Sequence, residues 1–506
     1  MNDLISIEEM AIIDENSSYL GVSTLQLMEN AGSGLARVIQ SKAPAKAKSI
    51  IIFAGTGNNG GDAFVLARHL SNRYSDVKVV LLGEENKIRT YISKTNWKAL
   101  QNMTLSIKTM IIRDSSELRS LEECNPDIVV DGLLGTGVYG SIREPIASAI
   151  RLINSLSGLK VAIDVPSGIN PDTGQVADLA VKADLTVSFH KIKRGLVQAS
   201  HHIGELISVK IGIPPEAEII VGPGDLRSSQ KKRPAESHKG DFGKILVIGG
   251  GGGEYYSGAP ALAGLAALRT GADLVNIATP CSVASTIRAY SADLIVRDLP
   301  GDKLSKVALN VLEPLLKWAS GIIIGPGLGL DPLTEETILV ILEKIKVLRC
   351  PLVVDADAIK AMATDNRILS GTATVITPHF GEYKILTGTD LAQIKNTQER
   401  LQTVKESAKE LGVTLLVKGK EDFISDGSFA KINRTGTPAM TVGGTGDILS
   451  GIVGCLISQG IPAFRAANAG AFINGLAGEY AAEKYYGPHI VATDLLESIP
   501  KAMNLP

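Results

Sequence analysis

Two doubly wound α/β domains are what this sequence predicts, and three observations predict them. Short, continuous apolar runs recur along the chain, as in Ser49–Ala54, Leu185–Phe189 and Lys244–Ile248. Such runs mark strands buried on both faces of a parallel sheet. Each leads through glycine or serine into a helical segment, and the 52 glycines in 506 residues supply those turns. The alternation lapses once, after Ile213-Pro214-Pro215, and resumes near residue 244. Strands alternating with helices on either side of one lapse give two domains.

In the first half, residues 8 to 40 read as helical and amphipathic. Asn30-Ala31-Gly32 interrupts them with small residues suited to a close helix contact. Ser49–Ala54 is the first strand, Gly55 to Asp62 a glycine-rich loop and Ala63–Leu70 a helix. Further strands read at Val77–Leu82, Asp127–Asp131, Leu159–Asp164 and Leu185–Phe189. In such sheets ligands bind beyond the carboxyl ends of the strands. The glycine- and serine-rich turns all fall there.

The polar, basic stretch Arg227 to Pro234 reads as a solvated linker. The domains are placed at 1–215 and 225–506. In the second half strands read at Lys244–Ile248, Asp273–Ala278, Gly321–Ile324, Leu352–Asp355, Ala373–Thr377 and Val413–Val417. Helices read at Ala259–Thr270, from Asp447 onward, and within Phe464–Tyr485.

Composition excludes several classes. A net charge of −2 offers no basic field for nucleic acid. No apolar run reaches the ~18 residues of a membrane span. The start has neither a basic region nor a long apolar region, so no signal peptide is expected. Cys124, Cys281, Cys350 and Cys455 lie far apart, without a CxxC pair. They read as thiols in a reducing compartment, and a cytoplasmic protein is expected.

The most informative stretch is Thr441 to Asp447, followed by an apolar small-residue helix. Its glycines would open a helix N-terminus whose free N–H groups and dipole attract an anion. A plain turn with Asp447 as N-cap is the alternative. Further stretches stand out: His238 to Gly243, Tyr256 to Pro260, Gly325 to Gly329, Thr377-Pro378-His379-Phe380-Gly381-Glu382, and Val417 to Asp422. Together and in this order they resemble the ribokinase-like superfamily, and within it the ADP-dependent NAD(P)H-hydrate dehydratases. The resemblance implies a ribokinase-like α/β domain that dehydrates hydrated NADH or NADPH (NADHX, NADPHX) while ADP, with Mg2+, becomes AMP and phosphate. It implies nucleotide contacts from Lys418, Gly419, Lys420, Glu421, Asp422, Gly444, Thr445 and Gly446. It implies hydrate contacts from Ala259, Gly327, His379 and Asp447. Phosphorylation turns a poor hydroxyl leaving group into a good one, so a base must take the hydroxyl proton, and Asp447 suits that role. Amide donors at Gly444 to Gly446 suit the transferring phosphoryl group.

In the first half, Asn58-Asn59-Gly60-Gly61-Asp62 suits phosphate but matches neither the GxGxxG fingerprint nor a P-loop. Asn59, Asp131 and Ser167 each follow a separate strand, and with one carboxylate among them they suit a monovalent cation better than a divalent one. With Gly135, Thr136, Gly137, Val138, Tyr139, Gly140, Ser141 and Asp164 to Gly168 they resemble the NAD(P)H-hydrate epimerases, which implies a Rossmann-like three-layer sandwich. It also implies K+ at Asn59, Asp131 and Ser167, and hydrate contacts from Asn58 to Asp62, Gly135 to Ser141 and Asp164. Proton transfer between the C6 epimers falls to Asp164, with a turn-capping carboxylate as the alternative. Two departures stand out: Ala63 replaces a customary glycine, and Phe189 to Gly195 lacks the expected proline–lysine step. His190 and Lys191 receive no catalytic role. The expectation is a bifunctional repair enzyme taking NADHX or NADPHX and ADP, and a homo-oligomer. The alternative is a hydroxyethylthiazole- or sugar-type kinase with a non-catalytic N-terminal binding module.

Overall fold

The computed structural model describes residues 4–135, 137, 140–253 and 255–505. The chain divides into two compact units, one ending at Pro215 and the other beginning at Glu216.

In the first unit the main sheet comprises β1 (Ser49–Ala54), β2 (Asp76–Leu82), β3 (Ile107–Ile112), β4 (Ile128–Gly132), β5 (Leu159–Ile163), β6 (Leu185–Phe189) and β7 (Glu205–Val209). They lie in the order β3-β2-β1-β4-β5-β6-β7, all parallel. Side chains alternate across it. Ile50 and Ile52 join one core while Ile51 and Phe53 join the other, so apolar layers cover both faces.

The helical stretch expected over 8 to 40 is two helices, α1 (Ile7–Tyr19) and α2 (Thr24–Lys42). The break falls at Leu20 to Ser23, where Ser23 and Gln26 form a reciprocal capping box that starts α2. Asn30-Ala31-Gly32 does not interrupt the chain but lies inside α2. A Cβ on Gly32 would sit 2.5 Å from Val65 Cγ1, so the close helix contact is there. The Gly55 to Asp62 loop is shorter than expected, because α3 spans Asn58–Leu70 with Gly57 as N-cap. Gly60 and Gly61 fit inside its first turns: a Cβ there would strike Gly55 O at 1.9 Å and Ser93 Oγ at 2.5 Å.

The second unit carries β8 (Lys244–Ile248), β9 (Leu274–Pro280), β10 (Ile295–Leu299), β11 (Gly321–Ile324), β12 (Leu352–Val354), β13 (Thr374–Ile376), β14 (Thr414–Val417), β15 (Asp422–Ser425) and β16 (Ala430–Asn433). Their order is β10-β9-β8-β11-β12-β13-β14-β15-β16, parallel except for the antiparallel pairings of β15 with its two neighbours. Helices α4 (Gly258–Thr270) and α6 (Thr445–Ser458) pack together on one face. A Cβ at Gly451 of α6 would lie 2.2 Å from the carbonyl oxygen of Ala263 on α4, which is why small residues fill both.

The segment expected to link the halves is partly built into the second unit. Ile220 bridges Ile432, and buried Asp225 pairs with buried Lys431 at 2.6 Å. Arg233 stacks on Phe242 and pairs with Asp273 at 2.9 Å, so its charge is held locally. No helix among the described residues is long and apolar enough to cross a membrane.

Candidate functional site

Both sheets reverse their winding direction once; the first predicted site lies at its reversal, and the second runs from its reversal along the strand ends to β14. In the first unit the chain leaves β1 towards β2 and returns to β4 on its other side. The crevice between the carboxyl ends of β1 and β4 is therefore the switch point, where α/β sheets bind ligands. A cavity of about 670 Å³ opens there. Asn58, Asn59, Asp62, Gly135, Gly137 and Asp164 line it. Gly60 and Gly61 are buried beneath it, and Gly140 and Ser141 are exposed. Thr136, Val138 and Tyr139 lie outside the described residues.

Asp164 follows β5 with φ +62°, a left-handed conformation that an aspartate tolerates better than most residues. It does not cap the Pro166-Ser167-Gly168 turn. Its Oδ1 accepts from the Phe189 N–H at 3.0 Å and from Ser188 Oγ at 3.2 Å, and it forms an ion pair with Lys193. The Lys193 side chain is 2% exposed. Burial, and then the neighbouring Asp164 and Asp14, raise Asp62 well above the usual carboxylate range. Burial likewise pushes Asp14 to about 7, opposed by Lys193. The cavity thus pairs an ion pair with two carboxyls that resist ionisation.

Asn59, Asp131 and Ser167 converge around Leu134. Ser167 Oγ donates to Asp131 Oδ1 at 2.6 Å and accepts the Leu134 N–H at 2.9 Å, while Asn59 Nδ2 donates to Leu134 O at 3.0 Å. All three residues are buried, and burial raises Asp131 to about 6.

In the second unit the switch point lies between β8 and β11. Ala259 at the start of α4 meets Gly327 there: a Cβ on Gly327 would lie 3.6 Å from the Ala259 methyl. Further along the strand ends stands α6. Its N-cap is Gly444, at φ +97°, with no side-chain cap. Asp447 therefore does not cap the helix; it sits half-buried in the first turn. Beside it, Lys418 at the end of β14 brings its amine to the helix start, 3.3 Å from where a Gly446 Cβ would be. Lys418 also pairs with buried Asp355 at 2.9 Å. Burial works against the lysine charge, but Asp355, Glu382 and Asp447 outweigh it and raise its pKa. Burial, then Asp355, pushes Asp447 up to about 7 despite Lys418.

His379 is the N-cap of α5 (Phe380–Thr387): its Nδ1 accepts the N–H groups of Gly381 and Glu382 at 3.0 and 3.2 Å. That assigns the imidazole proton to Nε2. Glu382 Oε2 returns a contact to the His379 N–H at 3.0 Å, and a main-chain bridge joins His379 to Lys418. Gly419 and Asp422 close the turn between β14 and β15 at 3.1 Å, and burial raises Asp422 to about 6. Lys420 is exposed, Glu421 pairs with Arg434 at 2.8 Å, and Thr445 Oγ1 donates to Met440 O at 3.2 Å.

Sequence reasoning missed Lys193, Asp14, Asp355 and Glu382. Lys193 lies in the basic run after β6, the segment that lacks the expected proline–lysine step. Asp355 and Asp357 both follow the apolar strand β12, and two acids at a strand's carboxyl end are a readable signal. Glu382 completes a capping box with His379 at the expected spacing. Asp14 carries no sequence signal, because one acid on an amphipathic helix reads as its solvated face.

The geometry defines a class: a two-unit α/β enzyme with an acid–base crevice at the switch point of its first sheet and an anion-attracting helix mouth beside a carboxylate in its second. The model of the NAD(P)H-hydrate dehydratase family matches residues 245–501, and that of the YjeF-related protein N-terminus matches residues 24–195. The bifunctional NAD(P)H-hydrate repair enzyme Nnr of Pyrobaculum aerophilum is 44% identical over 507 residues, 99% of this chain and 98% of that one. The enzyme of the same name from Methanothermobacter thermautotrophicus is 42% identical, covering 98% and 94%. Among solved structures, the ADP/ATP-dependent NAD(P)H-hydrate dehydratase of Bacillus subtilis, co-crystallised with ATP and Mg2+, is 23% identical with a TM-score of 0.44, covering 55% of this chain and 94% of that one. The chain belongs to the family of bifunctional NAD(P)H-hydrate repair enzymes, with an epimerase and a dehydratase domain.

Proposed function

We propose that residues 216–506 dehydrate the S form of hydrated NADH or NADPH at the mouth of α6, with ADP as phosphoryl donor. The observation that carries this is the meeting of Asp447, the Lys418 amine and the uncapped amides from Gly444 at one helix start. The diphosphate lies against those amides and the Lys418 charge, where the helix dipole favours it. Asp447 takes the proton of the C6 hydroxyl as that oxygen attacks the terminal phosphorus; AMP leaves. The phosphate ester then departs from C6 as the C5 proton is lost, which restores the reduced nicotinamide. Ala259, Gly327 and the Nε2 side of His379 hold the hydrate, and Lys420, Glu421, Asp422 and Thr445 frame the nucleotide. Mg2+ bound with the phosphates would neutralise charge there and would need few protein carboxylates. Asp357, near enough to raise the pKa of Asp447, is occupied: it accepts the Gly329 N–H at 2.8 Å and pairs with Lys360 at 3.1 Å.

Residues 1–215 interconvert the R and S hydrates in the cavity of Asp164 and Lys193. The ion pair holds Asp164 as an oriented base, and Asn58, Asp62 and Gly135 to Ser141 frame the ligand. One carboxylate, one hydroxyl, one amide oxygen and the Leu134 carbonyl form a hard donor set of low charge at Asn59, Asp131 and Ser167. That set fits K+.

The test is a coupled assay: purified protein, a mixture of both hydrates and ADP recover the full reduced-nicotinamide absorbance. Asp447→Asn stops recovery altogether. Asp164→Asn leaves it at the S fraction, apart from slow spontaneous exchange. Full recovery by both variants would refute the two assignments.

A further inference from the structure

The epimerase cavity holds a group that no resemblance assigns. Helix α1 turns one face into it: Ile7, Met10, Ala11 and Asp14 all line the cavity. Their spacing is i, i+3, i+4, i+7, a single helical stripe. Three of the four are apolar, and Asp14 is the only titratable side chain on that stripe. The helix is tied to the segment that carries Lys193. Leu4 and Ile5 pair in parallel with Ile192 and Lys193, and the Ile7 N–H donates to Asp172 Oδ1 at 3.1 Å. Ser6 caps α1 by accepting from the Glu9 N–H at 3.1 Å. The strand pair that seats Lys193 thus also seats Asp14, and both act electrostatically on each other.

We propose that Asp14 is a second proton-transfer residue of the epimerase site, working together with Asp164. The inference rests on the epimerase reading of this cavity. Exchange at C6 needs two proton movements. The C6–O bond breaks as the N1 lone pair forms a C6=N1 double bond, and the departing hydroxyl must gain a proton to leave as water. Water then adds to the other face of C6, its electron pair forming the new C–O bond while the C6=N1 pair returns to N1. The surplus proton of that water passes to a carboxylate. Asp14 supplies the first proton and Asp164 receives the second; the reverse reaction exchanges the roles.

The other charged groups facing the cavity are less suited. Lys193 is committed to Asp164 and Arg89 does not release its proton; burial and the neighbouring Asp164 and Asp14 raise Asp62 well above the usual carboxylate range. Asp14, pushed by burial to about 7, holds a proton near neutrality and can release it.

The experiment measures hydrate epimer exchange by NMR in the full-length protein as a function of pH, for wild type, Asp14→Asn and Asp14→Glu. Dehydration of pure S hydrate by the same preparations, with thermal melting, reports that the chain is folded. Asp14→Asn is expected to slow exchange on the order of 10²-fold and to remove an ionisation near pH 7 from the profile. Asp14→Glu restores part of the rate and shifts that ionisation. Wild-type exchange with Asp14→Asn equally fast and its pH profile unchanged overturns the role of Asp14 while leaving the epimerase reading intact. No exchange above the spontaneous rate in wild type overturns the epimerase reading itself. A slow Asp14→Asn with an unaltered pH profile, not rescued by glutamate, makes Asp14 structural and also overturns the proposal.

Discussion

Lys418 and Asp355 form a half-hidden ion pair, Nζ to Oδ1 at 2.9 Å, and Asp355 Oδ2 accepts from Ser450 Oγ at 2.5 Å. Asp355 is 1% exposed and Ser450 lies one turn beyond Asp447 on α6. Strand β12, strand β14 and helix α6 are thereby tied at one point, and the lysine charge is aimed at the helix mouth. Asp355→Asn should keep the shape but loosen the lysine, raising KM for ADP on the order of tenfold or more, since bonds to charged groups contribute about 1.5–3 kcal/mol. Lys418→Met leaves a buried carboxylate unpaired and should cost about 3–5 kcal/mol in stability. Denaturant unfolding and ADP-dependent kinetics of the two variants separate these effects.

The pH dependence of dehydration follows from Asp447. Burial and Asp355 raise it to about 7. A base works only when deprotonated, so kcat/KM should be low below pH 6, rise through about 7 and level off above. Asp447→Asn should lower the rate about 10²- to 10⁴-fold at every pH and erase that limb. A wild-type profile flat from pH 5 to 9 would remove Asp447 as the base.

At the other site, Asp164→Asn and Asp164→Val discriminate strain from chemistry. The residue sits at φ +62°. Asparagine tolerates that region but leaves buried Lys193 without its counter-charge, so it should lose epimer exchange and about 3–5 kcal/mol of stability. Valine should lose exchange and cost about 1–2 kcal/mol more than asparagine, the left-handed penalty for a residue with a bulky Cβ.

Potassium should stabilise the first unit. Asn59 at the start of α3, Asp131 near the end of β4 and Ser167 after β5 are buried around Leu134, with Asp131 held at about 6 by desolvation that a cation would relieve. Melting in K+ should exceed melting in tetramethylammonium at equal ionic strength, and Asp131→Asn should abolish the difference.

How much of this was legible depended on burial. The strands named in advance are mostly central ones covered on both faces, such as Ser49–Ala54 and Gly321–Ile324, and they match to within a residue or two. Those missed are β3, β7 and β10 at sheet edges, the β15–β16 hairpin at another edge, and the short Leu4–Ile5 and Ile192–Lys193 pair. Edge strands keep exposed polar residues such as Lys108 and Arg297, which break the apolar run. The site divides in the same way. Motif residues at strand ends, Asp447, Gly327 and Asp164, were readable from their glycine-rich surroundings. Lys193, Asp355 and Asp14 reach their sites only through tertiary pairing: the Leu4–Ile5 strand, the strand order and the stripe of α1. No local pattern encodes those contacts.

The most direct test of the central claim is phosphorus NMR of the full-length protein given S hydrate, ADP and Mg2+. AMP and inorganic phosphate are expected in equal amounts, matched by new reduced nicotinamide, with nothing formed by Asp447→Asn. A stable phosphorylated organic product accumulating beside AMP, without recovered nicotinamide, would contradict it and make the α6 mouth the site of a kinase.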